Sequence, residues 1–123
     1  MSLNSWKSEF YPTPATDIAK TGTEKDIVSH SLVKWQGRSP ENLVKHGVTQ
    51  LGKWIVYETD STEAFLIDEE TCSLCKAADD MCESCIFTSR IGKTCYQEYF
   101  IFRQTGNVQP MIDTLSKLLK IVS

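Results

Sequence analysis

Five cysteines lie between residues 72 and 95 with the spacing C-x2-C-x6-C-x2-C-x9-C: Cys72, Cys75, Cys82, Cys85 and Cys95. Thiolates are strong soft ligands, and two C-x2-C pairs let a short backbone offer a tetrahedral Zn2+ two sulfurs from each of two segments at about 2.3 Å. The spacing predicts one Zn2+ held by Cys72, Cys75, Cys82 and Cys85, with Cys95 packed nearby as a spare thiol able to replace one of the four. The loop between the pairs is shorter than the roughly 12 to 20 residues of common zinc fingers and ribbons, so the site would not be a standard finger. Cys72, Cys75 and Cys82 also match half of a fungal binuclear zinc cluster, but the second half has too few cysteines and the basic residues are missing.

Three other chemistries compete for the same residues. Free cysteine packs as a small hydrophobe, and Cys72 and Cys75 at i and i+3 share one face of a helix, so the thiols can simply be interior. A C-x2-C at a helix start can instead be a reactive dithiol with a depressed thiol pKa, although the neighbouring Glu69 and Glu70 would oppose that depression. A structural disulfide network is disfavoured by the odd count. Four thiolates on one dication leave a net negative centre among Asp68, Glu69, Glu70, Asp79, Asp80 and Glu83, which calls for Lys76, Arg90 and Lys93 or backbone N–H groups to offset it.

Lys34-Trp-Gln-Gly37, Pro40-Glu-Asn-Leu43 and Lys45-His-Gly47 precede the cysteines, and Pro110-Met-Ile-Asp113 follows them. Together these segments resemble short uncharacterised bacterial and phage proteins with a C-x-L-C…C-x-x-C…C core, over roughly residues 28 to 122. Those proteins commonly carry proline after the fourth cysteine, where this chain has Ile86. The resemblance implies a coherent fold and a shared role for the five cysteines, and carries no activity.

Elsewhere the chemistry is sparse. His46, near a predicted helix C-terminus, and His30 read as structural, because no nucleophile sits in a recognisable partner motif. Trp35, Trp54, Tyr57, Tyr96 and Tyr99 can line a recognition surface or a core. P-loop, Rossmann, nucleophile-elbow and H-E-x-x-H patterns are absent from the sequence. A formal charge of −3 gives no field to attract phosphate backbones, which argues against nucleic acid as a partner.

The elements that must position these residues follow from periodicity and caps. Thr23 with Asp26 forms a capping-box pattern ahead of Val28, Leu32 and Trp35, predicting a helix from Glu24 to Gln36 that stops at Gly37. Ser39, Pro40 and Gly47 bound a short second helix. Trp54–Tyr57 and Ala64–Ile67 read as a hairpin around the turn-like Asp60-Ser-Thr62, and Asp68 as the cap of a helix carrying Cys72 and Cys75. Thr94 with Gln97 and Gly106 bound a helix from Cys95 to Gln104. Met111, Ile112, Leu115, Leu118, Leu119 and Val122 then form one continuous apolar stripe of a C-terminal helix.

At 123 residues, with 41% hydrophobic and 24% charged side chains, the chain matches one ordinary globular domain. The expected architecture is α+β, a hairpin or short antiparallel sheet covered by helices. An N-terminal arm over residues 1–22 docks through Trp6, Phe10 and Tyr11 on a domain over 23–123. No apolar run reaches the roughly 18 residues of a membrane span, so the expectation is a cytoplasmic protein. Its expected role is a non-enzymatic accessory or interaction module for an unknown protein partner, with a thiol-disulfide oxidoreductase or redox sensor using Cys72 and Cys75 as the alternative.

Overall fold

The computed structural model describes residues 3–57, 60–67 and 71–123. The N-terminal arm is helical: α1 (Leu3–Phe10) and α2 (Ala15–Thr21) are separated by the Pro12–Pro14 corner. Its period was there to be seen, since Leu3, Trp6 and Phe10 recur at i, i+3 and i+7 and all three are buried. Trp6 is fully buried, with its Nε1 donating to the Gly37 carbonyl at 2.8 Å, and Phe10 and Tyr11 are buried beside it.

The capping box forms as expected. Thr23 Oγ1 accepts from the Asp26 N–H at 3.2 Å, Asp26 Oδ2 accepts from the Thr23 N–H at 3.1 Å, and α3 runs Glu24–Gln36. α4 (Pro40–Lys45) starts from Ser39, whose hydroxyl accepts from the Asn42 N–H. Gly37 has helical φ and ends α3 for a packing reason: a Cβ there would stand 2.5 Å from Phe10 Cγ.

The expected hairpin is two strands of a three-stranded antiparallel sheet in the order β1 (Val48–Leu51), β2 (Trp54–Tyr57) and β3 (Asp60–Leu66). The sequence reading missed β1, a four-residue strand joined to β2 by Gly52 at φ +59°. It also placed a turn at Asp60-Ser-Thr62, which instead begins β3. Ile55 pairs with Gln50 on one side and Phe65 on the other, and the sheet buries Val48, Ile55 and Ile67 against Trp6, Phe10 and Tyr11.

A second core is helical. α5 (Ser73–Ala77), a 3-10 turn at Cys82–Ser84, α6 (Ile86–Ile91) and α7 (Tyr96–Thr105) lead into α8 (Gln109–Val122). α8 packs Met111, Leu115 and Leu118 against Val28, Leu32 and Trp35 of α3, with Ile27, Leu74, Phe87, Phe102 and Val108 completing the cluster. The fold is therefore α+β, with the thiol segment between the sheet and the last two helices. Among the described residues no helix is long and apolar enough to cross a membrane.

Candidate functional site

The predicted helix cap at Asp68 lies outside the described residues. α5 begins later, with Cys72 itself as N-cap: its Sγ accepts from the Cys75 N–H at 3.4 Å. α5 is held in place from α3, because the buried Ser73 hydroxyl donates to the Ile27 carbonyl at 2.7 Å. Ser31, also on α3, has its hydroxyl 4.0 Å from Cys72 Sγ.

After Ala77 the chain reverses through Asp79 and Asp80, whose φ values of +50° and +63° are left-handed. Aspartate tolerates that region better than most residues. The Asp80 N–H donates to the Cys75 carbonyl at 2.8 Å, closing the turn and returning Cys82 toward the first pair. Cys85 caps α6, and Cys95 caps α7 without a side-chain hydrogen bond, so the Thr94–Gln97 capping box does not form. Tyr96 in the first turn of α7 has its hydroxyl 3.3 Å from Cys82 Sγ.

All five cysteines are free and half-buried. Cys72, Cys75, Cys82 and Cys95 line one cavity of about 520 Å3, and Cys85 is absent from that lining. The thiols feel one another. The Cys72 thiol is held well below its usual range by the hydrogen bond from the Cys75 thiol, against the opposing effect of burial, with help from the Lys34 ammonium, the Cys75 N–H and the Ser31 hydroxyl. Cys75 is raised by that same hydrogen bond, by burial and by the charges of Cys72, Cys85 and Cys95. Burial first, then Cys72, Cys85 and Cys82, push Cys95 up to about 12. Cys85 is raised mainly by burial.

The counter-charges differ from those expected. Lys76 pairs with Asp80 at 3.1 Å, Arg90 with Glu24 at 3.2 Å and Lys93 with Glu98 at 2.6 Å. The cation beside the thiols is Lys34, only 2% exposed, whose Nζ donates to the Thr71 carbonyl. Nothing in its sequence neighbourhood marks Lys34 as interior except its place one residue before the buried Trp35.

Both histidines bridge elements distant in sequence. His46 contacts the Ser5 hydroxyl at 2.8 Å through Nδ1 and Glu9 at 2.7 Å through Nε2, tying α4 to α1. This Ser–His–Glu line lies outside the cavity that holds the thiols. His30 Nε2 meets the Thr13 carbonyl at 2.7 Å. Of the aromatic candidates, Trp35 is core, while Trp54 and Tyr96 are exposed.

The donor set suits a thiophilic ion by its chemistry. As the side chains stand, no group of three or more His, Cys, Asp or Glu among the described residues is placed to hold one. Comparisons with protein-family models, curated proteins and solved structures find no match to this chain.

Proposed function

We propose that the protein is a non-enzymatic interaction module whose 72–95 lobe is stapled by a thiolate-bound zinc ion. The observation that carries the reading is the make-up of that lobe. Helices of five and six residues and a 3-10 turn are too short to be stable alone, and the lobe gives the buried core Leu74 and Phe87, with Ile86, Ile91 and three of the half-buried thiols packed against it. Cys72, Cys75, Cys82 and Cys95 are the four that line the cavity, which exchanges Cys95 for Cys85 relative to the spacing-based set. Bound zinc supplies a cross-link and no reaction step, and binding has to draw the thiols together. Lys34 offsets part of the negative charge. Exposed Met81, Tyr96 and Phe100 beside the lobe offer apolar surface to a protein partner, and a cytoplasmic setting would keep the thiols reduced.

Protein purified without a metal-affinity column should contain one zinc per chain, and chelation should lower its melting temperature. Metal-free protein that melts at the same temperature with five reduced thiols would refute the reading.

One observation favours a second reading, the opposed shifts of Cys72 and Cys75 within a hydrogen-bonded pair. In that reading the Cys72 thiolate attacks a substrate disulfide and expels one thiolate. Cys75, losing its proton, then displaces the other, so the substrate is reduced to two thiols as a Cys72–Cys75 disulfide forms. Metal-free protein that exchanges with a small disulfide selectively at Cys72 would favour this reading over zinc.

A further inference from the structure

Ser31, Lys34, Trp35 and Arg38 all line the cavity that holds the thiols, and they recur at i, i+3, i+4 and i+7. The cavity wall is therefore one face of α3 and the turn after it. At about 1.5 Å rise per residue, Ser31 beside Cys72 and Arg38 mark positions roughly 10 Å apart along that wall.

The far end has a different character. Arg38 is 3% exposed, and its guanidinium lies between the rings of Trp35 and Phe102 at 4.1 and 4.3 Å. Its side chain makes one hydrogen bond among the described residues, from Nε to Gln50 Oε1 at 3.0 Å, which leaves both Nη groups without a protein acceptor. Arg103 and Lys53 line the same cavity, and none of the three forms an ion pair among the described residues. The described carboxylate in the lining is Asp80, which is paired with Lys76. The Arg38 guanidinium has no counter-ion among the described residues, and its two Nη groups, which have no acceptor there, form the fork that grips a carboxylate or phosphate.

We infer that this end of the cavity binds the phosphate of a small organic phosphate, gripped by Arg38, Arg103 and Lys53. Three cations with no ion pair among the described residues match a dianion better than a single carboxylate. A volume of about 520 Å3 exceeds what phosphate alone fills, and Leu115, Met111 and Ile67 line the remainder for an apolar body.

The test is a titration of the protein as purified with phenyl phosphate, read by melting temperature and by tryptophan fluorescence, since Trp35 stacks on Arg38. Saturable stabilisation is expected. Arg38→Met should weaken binding roughly tenfold or more, and Arg103→Met, at an exposed position where folding is not at stake, severalfold. Arg90→Met, remote and paired with Glu24, should leave binding unchanged. Benzoate, a monoanion of similar body, should bind more weakly. The inference is overturned if tens of millimolar phenyl phosphate produces no shift, if Arg103→Met binds like wild type, or if benzoate binds equally well. Should Arg38→Met fail to fold, the Arg103 and benzoate arms decide.

Discussion

Lys34 Nζ donates to the Thr71 carbonyl across 2.9 Å of buried space, joining the last turn of α3 to the residue that precedes Cys72. One ammonium thereby anchors the thiol segment and favours the Cys72 thiolate. Lys34→Met keeps the stem and removes both effects. Loss of this buried, charge-assisted hydrogen bond should cost about 1 to 3 kcal/mol. In reduced, metal-free protein at pH 7, alkylation of Cys72 should slow as its pKa rises. Denaturant midpoints and peptide mapping of the labelled thiols measure the two consequences separately, and unchanged values for both would remove Lys34 from the site.

Leu115 is 1% exposed at the centre of the α3–α8 contact. Truncation to alanine should cost about 2 to 5 kcal/mol, depending on how far the helices close over the cavity. A variant with the wild-type denaturant midpoint would mean that α8 contributes little to the core and is free to serve a partner.

The features legible in the sequence are those fixed by a few neighbouring residues. The Thr23–Asp26 box, the Ser39-Pro40 start and the stripe through Leu115 and Leu118 each state their outcome locally. What escaped depends on partners distant in sequence. Lys34 and Arg38 are charged residues with no local mark of burial, and contacts to Thr71, Phe102 and Gln50 are what make them interior. Cys72 is a poor advertisement for an N-cap because thiols accept weakly, so nothing local announces the start of α5 at Ser73. The cysteine spacing marks the thiol segment, but it does not tell which four thiols line a common cavity. That depends on the left-handed turn at Asp79 and Asp80 and on Cys95 returning from beyond α6.

Gly37 shows the difference between a stop signal and a spacing requirement. Its φ of −64° suits any residue, yet an added Cβ would sit 2.5 to 2.8 Å from three atoms of Phe10. Phe10 is buried against Trp6, whose indole is held by the Gly37 carbonyl, so the ring has little room to move. Gly37→Ala should therefore destabilise by about 1 to 3 kcal/mol despite alanine's better helix propensity. Pairing it with Phe10→Leu should recover part of the loss, because the smaller side chain admits the methyl group. A neutral or stabilising Gly37→Ala would show that α1 shifts freely.

His30 supplies a pH dependence with a defined sign. Its Nε2 contacts the Thr13 carbonyl, and its Nδ1 is the one buried side-chain polar atom without a partner among the described residues. Burial lowers its pKa from 6.5, the Thr13 carbonyl opposes that shift, the Lys34 ammonium adds to it and the Cys72 charge opposes it. The folded value lies below the unfolded one, so on acidification the unfolded chain takes up the proton first. The His30 contribution is complete above the unfolded pKa and is lost as pH falls through that value toward the folded one. Wild-type stability should drop between about pH 7 and pH 5, where ordinary carboxylates remain ionised. His30→Gln, which can still donate to Thr13 but does not titrate, should show a shallower drop, with His46 common to both proteins. Parallel stability profiles over that interval would mean that His30 protonates equally in both states and that its orphaned nitrogen is solvated.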